Sequence, residues 1–490
     1  MKTKRLVFFF SALITFLFIH HAFAGSTPIV VMDAEEVVGG AAQSYEDRQD
    51  LSLKSPQGMT GAPSILLGAM QTASEGQLTT DSELPENQIG VARQISQLQS
   101  MSLVDDTLVW ELLDDGGHAA AVQIQSSGAS ALRLGIKVDM LPARAELRFV
   151  NPQDPAGEQI ELVTGEHILF LLKLNQDAEP NNPDADIYWS PMINGDTIGL
   201  EIYLPKDVEP NNCRISMPML SHVNITSALS DEWSFFSQAY GDSMACHNDL
   251  TCYTSWANIA RAVAGMVYTK SGGTYICTGT QLNDADTSTQ KPWFITANHC
   301  ISTQTVASTL ITKWYYQSSS CDSSALHPSY NVKSDGAQLY WTKGRNTSQS
   351  DDNQDSTLLL LNGSPSPGSA LAGWTTADNT STQTGIHHPR GDYKKISFGG
   401  WGDNWKCWDT GGSNFSCSKS STGGFVMSTW TSGATEPGSS GSGLFDPNTR
   451  LTGMLSGGNG QCGPDGYSIY ARFKSSYTAG NLGQWLNTSG

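Results

Sequence analysis

The sequence predicts an all-β protein, and two sets of short apolar segments carry that expectation. Downstream, Trp293-Phe294-Ile295-Thr296-Ala297 and Ser356-Thr357-Leu358-Leu359-Leu360-Leu361 have the length of buried strands. Upstream, Glu146–Val150, His167–Leu171 and Ile198–Tyr203 read as strands. Turn signals separate them at Asn151-Pro152, Glu179-Pro180-Asn181-Asn182-Pro183 and Asn194-Gly195.

The first segment of the chain is a targeting signal. Lys2, Lys4 and Arg5 precede an almost wholly apolar stretch from Leu6 to Ile19, and Ala22-Phe23-Ala24 supplies a cleavage site for export. Residues 1–24 are expected to be removed, leaving a secreted protein, extracellular or periplasmic in transit. No later stretch approaches the ~20 apolar residues of a membrane span, so no membrane attachment is expected after cleavage. Residues 25–100 are rich in Ala, Ser, Gln and Gly with weak periodicity, which implies partial order at best. Residues 109–225 read as a small β-rich unit, and residues 241–490 as a second domain.

Charge divides the chain in the same place. Residues 25–240 hold 31 acidic against 10 basic residues, whereas residues 241–490 hold 16 against 15, within an overall net charge of −19. The acidic excess favours solubility and speaks against a nucleic-acid partner. Eight of the nine cysteines lie from Cys246 onward, which fits an oxidising destination, and eight allow 105 pairings. No Cys-x-x-Cys pair supports a zinc site. Adjacent His387 and His388 would point to opposite faces of a strand, so neither a metal nor another cofactor is expected.

Three residues suggest the chemistry. Asn298-His299-Cys300 follows the first downstream strand, Asp355 directly precedes the second, and Gly438-Ser439-Ser440-Gly441-Ser442-Gly443 lies further on. A serine hydroxyl is a weak nucleophile near neutral pH, so an imidazole must take its proton while a buried carboxylate holds the correct tautomer. In that scheme Ser440 attacks, His299 moves the proton and Asp355 orients His299, with Asp351 and Asp352 as other candidates for the carboxylate. Glycine at 438 and 441 lets the chain turn sharply, aiming the N–H groups of Gly438 and Ser440 at a developing oxyanion.

From about Cys246 to its end the chain resembles the trypsin-like, chymotrypsin-fold serine proteases, and within them the lysyl endopeptidase branch of secreted bacterial enzymes. The resemblance rests on Ile259–Val263, Cys277-Thr278-Gly279, Thr296–Cys300, Trp314–Gln317, Asp355–Leu359, Ile386–Pro389 and Thr435–Ser442. It implies two packed antiparallel six-stranded β-barrels, the first bearing His299 and Asp355 and the second Ser440, with a terminal helix around Leu482 to Leu486. It also implies disulfides Cys277 with Cys300, Cys252 with Cys321 and Cys246 with Cys462, leaving Cys407 with Cys417 as a local pair and Cys213 unassigned.

The resemblance breaks at the pocket for the residue before the cut. Lysine-specific members carry an acidic residue where this chain has Ser468, in Ser468-Ile469-Tyr470-Ala471-Arg472, and the residue six places before Ser440 is Ala434. An apolar or small side chain is therefore expected there rather than Lys or Arg, although Asp465 and Glu436 remain sources of negative charge. Ser456-Gly457-Gly458 looks like the edge that pairs with an extended substrate.

Residues 25–240 stand in the place of a propeptide. Ser439 stands where trypsin-like zymogens keep an aspartate for a freshly cut amino terminus, so latency must come from elsewhere. The upstream unit is expected to act as an intramolecular inhibitor until cleavage near residues 225–245. That junction holds neither Lys nor Arg but offers Trp233, Phe235, Phe236, Tyr240 and Met244. The expected function is thus a monomeric serine endopeptidase acting on proteins or peptides. A catalytically inactive binding protein on the same fold is the alternative.

Overall fold

The computed structural model describes residues 29–37, 52–56, 58–68, 87–154, 159–223, 243–286, 288–378, 382–411 and 414–487. The export signal and most of the cleavage junction lie outside these residues. Strands dominate, as the short apolar runs predict.

The C-terminal half consists of two curled sheets. In the first, six strands follow one another in the order Ile311–Trp314, Val263–Lys270, Gly273–Leu282, Trp293–Thr296, Ser356–Leu361 and Ala337–Lys343. Ser356–Leu361 is paired on both edges, which explains its near-continuous apolar character. The second sheet closes on itself, from Thr382–His387 through Lys395–Gly411, Phe425–Ser432, Tyr467–Arg472, Leu451–Gly458 and Gly443–Phe445 back to its start. Trp293, Ile295, Leu358, Ile386, Phe445 and Met454 share one buried core, so apolar burial holds the two sheets together. Helices Phe473–Ala479 and Gly483–Leu486 end the chain with Leu482 and Leu486 fully buried, matching the expected terminal helix.

The N-terminal half has its own six-stranded sheet, which includes Ser64–Leu67, His118–Ser126, Glu146–Val150 and Thr197–Leu204. One expectation fails there. His167–Leu171 belongs to the helix Gly165–Ala178 rather than to a strand. Its start is capped by the Thr164 hydroxyl, which accepts from the His167 N–H at 3.2 Å. Ile168, Leu171, Leu172 and Asn175 are buried at helical spacing.

The two halves are joined by strand pairing as well as by side chains. Gln88–Gln94 pairs with Arg214–Val223 on one edge and with Gly273–Leu282 on the other, so a second upstream group of strands, Ala131–Met140 and Arg214–Val223, is continuous with the first barrel, while the six-stranded sheet stays separate. The buried Arg133 guanidinium donates to the Ser190 carbonyl, the Thr269 hydroxyl and the Thr309 carbonyl, spanning the same junction. Further upstream, Val31–Met32 pairs with Trp374–Thr375, and Glu35–Glu36 with Ala370–Leu371.

Candidate active site

Strand register brings His299 and Asp355 together. Thr296 lies opposite Thr357 in an antiparallel pair, so the residues just beyond one strand meet those just before the other. The His299 backbone N–H donates to Asp355 Oδ1 at 3.0 Å, and Nδ1 lies 2.8 Å from Oδ2. A carboxylate can only accept, so Nδ1 carries the proton and Nε2 is left as the basic atom. The Cys277–Cys300 disulfide pins the turn beside His299. Burial raises the pKa of Asp355, but the charges of His299 and Arg345 and hydrogen bonds from His299 and Ser456 outweigh it, holding the group well below the usual carboxylate range.

Ser440 sits on a sharp turn that only glycine permits on either side. Gly438 has φ 89° and Gly441 φ 81°. A Cβ on Gly441 would lie 2.1 Å from Thr296 Oγ1 and 2.8 Å from the Ala297 nitrogen, so the serine loop presses directly on the chain leading to His299. The Thr278 N–H donates to the Ser440 carbonyl at 2.8 Å. The Gly441 N–H donates to the Leu455 carbonyl at 2.8 Å, and the Ser456 hydroxyl, one residue on, donates to Asp355 Oδ2 at 2.5 Å. These links draw Ser440, His299 and Asp355 to one seam between the barrels. Among the described residues no hydrogen bond joins Ser440 Oγ to His299 Nε2, and the N–H groups of Gly438 and Ser440 donate to no protein group. A serine–histidine contact of this kind is often long or poorly aligned before substrate binds.

Behind the turn, Ser439 takes the place of an ionic anchor with a neutral one. Its hydroxyl meets His387 Nδ1 at 2.8 Å, and His387 Nε2 meets Ser397 Oγ at 3.1 Å. His388 bonds the Asp392 carbonyl through Nδ1, so the two adjacent histidines serve separate partners. Glu436 receives the Met244 N–H at 2.8 Å, His247 Nε2 at 2.9 Å and Arg390 Nε at 2.5 Å. Burial raises its pKa, but these contacts from His247, Met244 and Arg390 outweigh it and bring the pKa down to about 2. Ser243 donates to Asp392 Oδ2 through its hydroxyl and its N–H. The described segment thus enters the second domain already tied down.

The residues expected to line the pocket form an uncharged group. Ser468 is fully buried, and its hydroxyl meets Trp430 Nε1 at 2.9 Å and Thr435 Oγ1 at 2.7 Å, with Ala434 also buried beside Thr435. Glu436 is engaged as described, and Asp465 is exposed on a short 3-10 turn, so neither carboxylate joins Ser468. Ser456 turns its hydroxyl to Asp355 rather than toward the pocket. Gly457 and Gly458 pair with Ile469 and Ser468 on one edge. On the other, strand pairing stops at Met454, and the Leu455 backbone bonds Gly441 and Ser442. Beyond Leu455, among the described residues, no strand pairing continues on this edge.

The structure forms the four expected disulfides, Cys246–Cys462, Cys252–Cys321, Cys277–Cys300 and Cys407–Cys417, while Cys213 is free and buried with its thiol pushed up to about 12 by burial. Sequence reasoning missed Arg345, His247 and Trp430. Arg345 stands alone in the polar loop Lys343-Gly344-Arg345-Asn346, where no periodicity marks it.

A two-barrel domain with histidine, aspartate and serine gathered at its seam is the architecture of a trypsin-like serine endopeptidase. Residues 240–471 match the family described as lysyl endopeptidase, C-terminal domain, and residues 65–224 match the lysyl endopeptidase N-terminal domain. The lysyl endopeptidase of Pseudomonas aeruginosa is 35% identical over 379 residues, covering 73% of this chain and 72% of that one. The chain belongs to the lysyl endopeptidase family and is a serine endopeptidase, a hydrolase. Among solved structures, it is similar to the thermostable serine protease AL20 from an extremophilic microorganism, at TM-score 0.31 and 14% identity over 46% of this chain and 99% of the other. It is also similar to the HtrA-type protease AlgW with a tripeptide, at TM-score 0.31 and 17% identity over 47% of this chain and 62% of the other.

Proposed function

We propose that Ser440 is the nucleophile, His299 the general base and acid, and Asp355 the carboxylate that orients His299, in an endopeptidase exported as an inactive precursor. The observation that carries this reading is the Asp355 carboxylate, which bonds His299 through both oxygens and also holds Ser456, next to the residue that anchors the Ser440 loop. Ser440 Oγ attacks the scissile carbonyl carbon while its proton passes to His299 Nε2, and the carbonyl oxygen takes up charge against the N–H groups of Gly438 and Ser440. Collapse of the intermediate breaks the C–N bond, and His299 returns the proton to the leaving amine. Water then repeats the sequence on the acyl-enzyme.

The substrate backbone adds as a strand to the free edge at Ser456–Gly458. The residue before the cut enters a pocket based on Ser468, Thr435 and Trp430, which offers no charge to lysine or arginine and suits an apolar or small side chain. This chain then departs from the preference in its family's name.

The N-terminal half acts as the intramolecular inhibitor and is removed by a cut upstream of Ser243, because Ser243 and Met244 already make contacts of the folded enzyme. Supporting this, the Asn87 carbonyl accepts from the Ile276 N–H at 2.9 Å, two residues before Thr278, whose own N–H holds Ser440. An upstream strand so close to the nucleophile competes with a bound substrate. Export fits the signal pattern and the four disulfides. Among the described residues no helix is long and apolar enough to cross a membrane.

Cleavage-site profiling of the matured protein beside a Ser440→Ala control tests activity and preference together. The expected result is cleavage lost in the control, with uncharged residues before the cut. Cleavage confined to lysine would refute the pocket reading, and equal cleavage by the control would refute the nucleophile.

A further inference from the structure

Arg345 touches the catalytic carboxylate, yet no step above uses it. Its loop follows the strand Ala337–Lys343 and delivers a guanidinium that is 8% exposed. Nη1 donates to Asp355 Oδ2 at 2.6 Å and to Ser456 Oγ at 3.1 Å, while Nε donates to Asp409 Oδ1 at 2.9 Å. The guanidinium also lies 4.4 Å from the centroid of the Phe415 ring. Asp409 and Phe415 are opposite each other in the hairpin that Cys407–Cys417 closes. Phe415 in turn packs on Gly457, where an added Cβ would lie 2.9 Å from the ring.

We propose that Arg345 is a positioning residue of the reaction, clamping Asp355 to the 407–417 hairpin so that the carboxylate faces His299 and Phe415 stays against the substrate edge at Gly457. The proposal rests on the reading of Ser440, His299 and Asp355 given above. An arginine fits the task because one planar fork reaches two carboxylates and a hydroxyl while its face lies on an aromatic ring, which a lysine ammonium cannot reproduce. The clamp also has an electrostatic side. Arg345 shares Asp355 Oδ2 with His299 Nδ1, so its charge competes for the negative charge that stabilises the imidazolium formed during attack. The charged groups facing it are Asp355 and Asp409, with His299 beyond Asp355.

The test compares Arg345→Gln, Arg345→Lys and Asp409→Asn, each produced as the whole chain and then matured, using peptide substrates of several lengths, with Asp355→Asn as reference. Arg345→Gln is expected to lower kcat on the order of 10- to 100-fold through misplacement of Asp355. It should also move the acid limb of kcat/KM upward by roughly half a pH unit, since the competing cation is gone. Arg345→Lys should keep the acid limb but not the full kcat. Asp409→Asn frees only the hairpin, so KM should rise for substrates long enough to reach Gly457 while the acid limb stays in place. If Arg345→Gln fails to fold, Arg345→Lys and Asp409→Asn still decide the matter. Unchanged kcat and KM in both, or an unmoved acid limb in a folded Arg345→Gln enzyme, would overturn the proposal. If Asp355→Asn itself retained full activity, the underlying triad reading would fall instead.

Discussion

Asp355 accepts four hydrogen bonds, three of them on one oxygen, and is nonetheless held as a carboxylate. Burying such a charge is costly unless it is paired and hydrogen-bonded, and here both conditions are met. Ser468 shows the opposite choice, a buried hydroxyl satisfied by the neutral groups of Trp430 and Thr435. Ser468→Asp would place a carboxylate at the base of that pocket. Substrates with lysine before the cut are then expected to gain at least about tenfold in kcat/KM over apolar ones, through a desolvated ion pair. Measuring the ratio for matched lysine and leucine peptides checks this, and an unchanged ratio would mean that Ser468 does not face the substrate. His299, Asp355 and Ser440 could be proposed from the sequence because the proposed reaction demands those residue types in a workable chain order. Arg345 could not, since a single arginine in a polar loop acquires meaning only when Asp355, Asp409 and Phe415 converge on it.

Strands were legible from short apolar runs, and the failure at His167–Leu171 has a physical cause. Four apolar residues after a histidine suit a buried strand or a helix turn equally well, and the deciding signal, the Thr164 cap, lies outside the run. The strand Gln88–Gln94 escaped notice for another reason. It lies in a weakly periodic region, and its partners are nearly 130 and 190 residues away, at Met219–Val223 and Thr274–Tyr275. Its contact with the first barrel makes a specific prediction. The Ile276 amide, bonded to the Asn87 carbonyl, should resist hydrogen exchange in the Ser440→Ala precursor and exchange much faster once the N-terminal half is removed. Equal exchange in both forms would show that this strand does not cover the barrel edge.

At the scale of the whole molecule, charge separates an acidic upstream half from a nearly neutral downstream half, but charge alone does not disclose that strands of both halves share one sheet. Several buried titratable groups tie the stability of the folded chain to pH. Glu436 is lowered to about 2, His387 and His388 fall well below 6.5 through burial, and burial brings Lys394 down to about 7. All of them bind fewer protons folded than unfolded, so stability rises with pH wherever they titrate. The histidine contribution is lost as pH falls below about 6.5, and that of Glu436 as pH falls from about 4.5 toward about 2. Lys394 adds stability as pH climbs from about 7 toward 10.5. Urea midpoints of the Ser440→Ala protein, taken in high salt to screen surface charge, should therefore climb from pH 4 to pH 9. A midpoint that falls over this range would contradict the burial of these groups. The proposed function turns on one oxygen atom of Ser440, so the most direct measurement is labelling of the matured enzyme with a fluorophosphonate, followed by peptide mapping. A single adduct on Ser440, lost in His299→Ala, is the expected result. Full peptidase activity with Ser440 unlabelled would contradict it.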